Sequence, residues 1–151
     1  MDIHELLPVL VPKAITWAKS QEAAILRAGV PLSPSGIGIA QRVGVVDPTR
    51  VRLQVVPAIP TPDDPVMARI VVEQGVFGPH TGGVTLGYGI YLVAGKWNDQ
   101  LVAHELRHVH QYESLGGVEG FMPVYLAQIA QCGYRDAPLE RDARAAAGEP
   151  V

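Results

Sequence analysis

His104, Glu105 and His108 stand at the spacing H-E-x-x-H within Ala103-His104-Glu105-Leu106-Arg107-His108-Val109-His110-Gln111. On a helix a spacing of four is about one turn, so the two imidazoles share a face and can hold one zinc ion between them. Glu105 lies about 100° round the helix from His104. From there its carboxylate reaches a metal-bound water without being a ligand. The chemistry this predicts is metal-assisted hydrolysis, in which the ion acidifies the water and Glu105 accepts its proton. Leu101, Val102, Ala103 and Val109 make the flanks apolar, as a buried site helix requires. Asn98 or Asp99 supplies an N-cap. Gln111 falls about 20° from His104 on the wheel and faces the same side, with Tyr112 slightly further round. His110, about 240° away, is read as a surface or supporting histidine and not as a ligand.

Catalytic zinc takes three protein ligands and keeps one position for water. The metzincin extension HExxHxxGxxH fails here at both positions, because Gln111 stands where Gly is needed and Ser114 where His is needed. A carboxylate from a later segment is the alternative, and Glu113, Glu119, Asp136, Glu140 and Asp142 are available. Glu113 is nearly opposite His104 on the wheel, and Glu119 sits in or near a Gly-rich turn. Glu140 stands in the first turn of an expected helix, where a ligand is held better than on a loop. A first-turn carboxylate favoured by the helix dipole is the competing explanation for Glu140. On physical grounds alone the two readings stand equal.

The elements that must position these groups follow from periodicity and punctuation. Residues 13–28 read as a helix with Ala14, Trp17, Ala18, Gln21, Ala24, Ile25 and Ala28 on one face and a stop at Gly29. Ser33-Pro34 can start a short helix reaching about Arg42. Val51–Val56 reads as a strand. Asp63-Asp64-Pro65 starts a helix over 66–74 with a stop at Gly75, although Ile70-Val71-Val72 also suits a strand. Val84–Val93 is the strongest strand, with Val84, Leu86, Tyr88, Ile90 and Leu92 on one face. Gly87 and Gly89 leave its other face open, either for close packing or a bulge, or for a substrate backbone at an exposed edge. Gly116-Gly117 break the chain before a helix over 118–132, whose regular part Pro123 places near itself. Pro138 opens a last helix to about Ala147. The Pro-rich stretch 57–65 and the last few residues are expected to be weakly ordered.

The chain has 151 residues, which suits one domain, 1–151, with a sizeable core. A net charge of -3 gives no reason to expect a nucleic-acid partner. Cys132 is the only cysteine, so a cysteine-rich metal site is excluded and His and carboxylate must hold any ion. Leu6–Val11 is apolar, but Asp2 and Glu5 precede it where a secretory leader carries basic residues. No apolar run reaches spanning length. The expectation is a soluble, cytoplasmic protein without membrane insertion, with secretion by a leader-independent route left open.

The string LVAHELRHVHQYE, followed by GFMPVYLAQIAQCGYRDAPLERDA, resembles small bacterial zincins of the HExxHxxQ type, which look like minimal gluzincin metallopeptidase domains. The resemblance covers residues 84 to 147, including Thr85-Leu86-Gly87 ahead of the site helix. The resemblance does not extend to residues 1 to 80. The resemblance implies that His104, His108 and Glu140 bind zinc and that Glu105 is the general base. It implies an α+β zincin-like domain, a small sheet packed on helices with the HExxH helix in the core and the 84–93 strand near the cleft.

The expected function is therefore a zinc-dependent hydrolase, a metallopeptidase acting on a peptide or protein substrate through zinc-activated water. Tyr134, Arg135 and Tyr112 are candidate donors to the oxyanion that forms on the scissile carbonyl. The alternative is a zinc-binding interaction or structural domain without proteolytic activity, in which the ion holds the helices together. A structural site has no use for Glu105, which counts against that alternative.

Overall fold

The computed structural model describes residues 2–151. Helix α1 spans Ile3–Ala28, starting ten residues before the expected onset at 13. Asp2 accepts from the His4 amide and Glu5 reaches back to the Asp2 amide, so a capping box nucleates the helix. Pro8 and Pro12 lie inside it and each removes one helical hydrogen bond. Leu6 and Leu10 continue the buried stripe of Ala14, Ala18 and Ile25, and this apolar burial offsets the two lost bonds.

After α1 come β1 (Val30–Pro31), α2 (Pro34–Arg42, capped by Ser33), a 3-10 turn at 48–50 and β2 (Arg52–Val56). The segment 65–74 is helical throughout, so the strand alternative for Ile70-Val71-Val72 is not taken. In this helix, α3 (Pro65–Gln74), Asp64 accepts from the amides of Val66 and Met67, and Gly75 turns out left-handed at φ 65°. Those two caps outweigh the β-propensity of three branched residues.

Val84–Val93 is not one strand. It is a tight hairpin of β3 (Gly83–Leu86) and β4 (Gly89–Val93). Gly87, at φ 67°, lets the chain reverse over Gly87-Tyr88, and the Tyr88 amide is tied to Glu22 of α1 at 2.8 Å. The reversal redistributes the side chains: Leu86 packs in the core beneath α1, whereas Ile90 and Leu92 pack in the core beneath α2 and the site helix. The glycines serve close packing here, since a Cβ on Gly89 would lie 2.9 Å from Ile25 Cβ.

The sheet runs β1-β2-β4-β3, with β2 and β4 parallel and the other two pairs antiparallel. The remaining helices are α4 (Asp99–Leu115), α5 (Val118–Cys132) and α6 (Pro138–Ala146). α5 runs through Pro123 from Val118, starting earlier than that proline suggested, because Gly116 and Gly117 turn the chain directly into it. The fold is α+β, a mixed sheet with helices on both faces. No helix among the described residues is long and apolar enough to cross a membrane.

Candidate metal centre

α4 is capped by Asn98, whose side chain accepts from the Leu101 amide. His104, Glu105, His108, Gln111 and Tyr112 are all buried on it. α6 lies across it, begun by Pro138, and the small buried residues Ala137 and Ala143 allow the close approach. Glu140, in the first turn of α6 and 2% exposed, thereby faces both histidines. Its Oε1 is 3.1 Å from His104 Nε2 and its Oε2 is 3.1 Å from His108 Nε2.

Ligand atoms about 2.0–2.1 Å from a tetrahedral zinc ion are about 3.3 Å from one another. The two Nε2–carboxylate separations are close to that value, and the three ligand atoms lie within 4.8 Å of one another. The donor set of two imidazole nitrogens and one carboxylate suits zinc chemically.

Hydrogen bonds leave both Nε2 atoms free to face Glu140. His108 Nδ1 is 2.7 Å from Gln111 Oε1, while Gln111 Nε2 donates to Leu139 O at 2.9 Å and to Asp142 Oδ2 at 2.8 Å. Two acceptors on the nitrogen side fix the orientation of the amide, so Nδ1 of His108 carries the hydrogen. Asp142 also takes Arg107 on both oxygens, at 2.9 and 3.2 Å, and this clamps α6 to α4. On the other ring, His104 Nδ1 donates to Glu149 Oε2 at 2.7 Å. Tyr125 of α5 donates to Glu140 Oε2 at 2.7 Å.

Glu105 points to the side of this triad. Thr85 of β3 donates to its Oε1 at 2.8 Å and bonds its backbone carbonyl at 3.0 Å. Burial pushes the Glu105 carboxyl up, and the nearby charges of His108 and His104 oppose that. Burial would also raise Glu140, but the charge of His108 and bonds from both histidines hold it well below the usual carboxylate range. Burial lowers His104, and its bond to Glu140 with the charge of Glu105 outweighs this and lifts it to about 9. Burial and the charge of Glu140 keep the Tyr125 and Tyr134 hydroxyls protonated.

The other sequence candidates separate clearly. Glu113 accepts from the amides of Val46 and Asp47 and from Tyr88 Oη, away from the triad. Glu119 pairs with Lys19 at the surface, and Asp136 is exposed. His110 is tied by Nδ1 to the Gly44 carbonyl at 2.8 Å. Tyr134 lines the cavity that opens at the triad. Tyr112 also lines it, but its hydroxyl is used on the Thr85 carbonyl at 3.1 Å. Arg135 is exposed and does not line the cavity.

Three residues of the centre carried no functional reading in the sequence. Tyr125 sits on the apolar stripe of its helix, where a phenol looks like core. Thr85 entered only within the Thr85-Leu86-Gly87 stretch of the resemblance, with no role attached to it. Glu149 has no sequence signal. It reaches His104 because Gly148 turns left-handed at φ 73° and the Glu149 amide bonds back to the Arg144 carbonyl at 2.9 Å.

Comparison of the chain with protein-family models, with curated proteins and with solved structures finds no match.

Proposed function

We propose that this protein is a zinc-dependent hydrolase, and that the reaction is cleavage of peptide bonds. The carrying observation is the convergence of His104 Nε2, His108 Nε2 and Glu140 on one point, with the buried carboxylate of Glu105 beside it. The motif resemblance described above agrees with this reading. A zinc ion held by the triad supplies Lewis-acid polarisation of the scissile carbonyl and of water.

The chain's own residues account for the proton. Water adds through its oxygen to the carbonyl carbon, and Glu105 accepts the proton released. The C–N bond then breaks as Glu105 returns that proton to the departing amine. Thr85 holds the Glu105 carboxylate in one rotamer, and burial raises its basicity. Tyr134 is the phenol on the cavity wall with a hydroxyl available to the carbonyl oxygen, and burial keeps its proton on.

The burial of all three triad residues is the observation that favours a purely structural metal site. Against it stand Glu105, which a structural site does not need, and a cavity that reaches the triad. The test is a zinc determination on purified protein, followed by a fluorogenic peptide library with Glu105→Gln as control. Retention of zinc with loss of hydrolysis is expected. Equal turnover in the variant, or in protein stripped by a chelator, refutes the reading.

A further inference from the structure

The cavity beside the triad has two chemically distinct ends. Its polar wall is His104, Glu105, His108, Tyr134 and Glu140. The rest of its lining is largely apolar and is shared between the first eighty residues (Leu10, Ala14 and Trp17 of α1, Met67 and Ile70 of α3, and Phe77 just after α3) and residues of β3 and α5. Trp17 and Phe77, both on that lining, stack with centroids 6.1 Å apart. No charged side chain joins the lining beyond the triad and Glu105. An apolar void that opens on a polar reactive centre is filled favourably by an apolar group attached to the reacting bond.

We propose that this cavity is the specificity pocket for a branched aliphatic side chain (Leu or Ile) next to the bond that is cleaved, and that α1 and α3 set the preference. The identity of the ligand rests on the peptidase reading; the pocket itself does not. Size decides between aliphatic and aromatic occupants. The free space is about 100 Å³, clearly below the roughly 150 Å³ of an engineered cavity that holds benzene. A four-carbon branched group fits that space, whereas an indole requires the walls to move. Met67, 6% exposed, is the adjustable wall, because its unbranched side chain occupies volume that alanine would release. This assigns a role to the half of the chain that carried no recognisable motif.

The probe is a set of three succinyl hydroxamates whose carbon beside the reactive group bears hydrogen, isobutyl or indolylmethyl. Zinc-loaded protein is titrated with each by isothermal calorimetry, because the indole of the third compound would mask tryptophan emission. The isobutyl compound should bind on the order of 100-fold more tightly than the unsubstituted one, four buried carbons being the difference. The indolylmethyl compound should bind no better than isobutyl. Met67→Ala should raise indolylmethyl affinity relative to isobutyl by about tenfold. Ala14→Val should weaken isobutyl binding selectively.

The unmutated cavity decides the matter if either variant fails to fold. Equal affinity for hydrogen and isobutyl, or no binding by any member, overturns the pocket. Side-chain-dependent binding without cleavage of matching peptides supports the pocket and overturns the peptidase reading. Cleavage without side-chain preference overturns the pocket and leaves the peptidase reading standing.

Discussion

Replacing Glu140 by alanine tests the centre most directly, because that one carboxylate meets both histidines. Two consequences can be separated. In metal-free protein the variant leaves His104 and His108 buried without their acceptor. Breaking a buried charged pair from one side costs about 3–5 kcal/mol. For a chain of this length each kcal/mol moves the melting temperature by about 2–4 °C. That loss says nothing about metal, since any buried ion pair would show it. The zinc-induced gain in melting temperature is the specific quantity. With free zinc at 1,000 times Kd, binding contributes about 4.1 kcal/mol to stability. Removing a supporting hydrogen bond around a metal weakens affinity about 10–100-fold, so loss of a direct ligand should cost at least 100-fold. At the same zinc concentration the contribution then falls to about 1.4 kcal/mol or less. The zinc-induced shift should therefore shrink from about 8–16 °C to about 3–6 °C or below. Differential scanning calorimetry with and without zinc gives both numbers. Glu119→Ala should leave the zinc-induced shift unchanged, and Asp142→Ala should reduce it less than Glu140→Ala does. A Glu140→Ala protein that keeps the full zinc-induced shift refutes the ligand assignment, whatever its absolute stability.

Further outcomes follow from the same geometry. Glu149→Ala should weaken zinc binding about 10–100-fold in competition with a chromophoric chelator. Glu149→Gln should recover most of it, because an amide oxygen still accepts the His104 Nδ1–H; equal affinity in all three proteins removes Glu149 from the centre. Tyr134→Phe should lower kcat with little change in zinc content if its hydroxyl stabilises the developing oxyanion, and an unchanged kcat excludes it. Gly89→Ala should destabilise by about 1–3 kcal/mol in chemical denaturation, since the new methyl collides with Ile25 at 2.9 Å; a neutral effect would mean that α1 moves freely against the hairpin.

Much of the site helix was determined by local sequence. H-E-x-x-H at one-turn spacing, apolar flanks, Asn98 ahead and Gly116 behind are all short-range features, and α4 obeys them. The same holds for α3, where Asp64 and Gly75 decide both ends. Local reasoning failed where a residue has two allowed uses. Pro8 and Pro12 lie ahead of the expected onset of α1 at 13, and Pro123 was expected near the start of the regular part of α5, yet tertiary burial of Leu6, Leu10 and Phe121 carries the helices past them. Gly87 was read as a gap in one long strand, but its positive φ makes it the corner of a hairpin. The third arm of the triad belonged to neither category. Five carboxylates were available in sequence; wheel position counted against Glu113, and helix start together with motif resemblance favoured Glu140, but local features did not exclude the rest. Only the packing of α6 on α4, held by Arg107, Asp142 and Gln111, brings Glu140 to 3.1 Å from both rings. Glu149 and the α1–α3 wall of the cavity are purely tertiary, because contacts across 45 residues and more leave no periodic trace in the chain. Secondary structure is specified by neighbours a few residues apart; a metal centre is specified by which faces are pressed together, and that depends on the whole core.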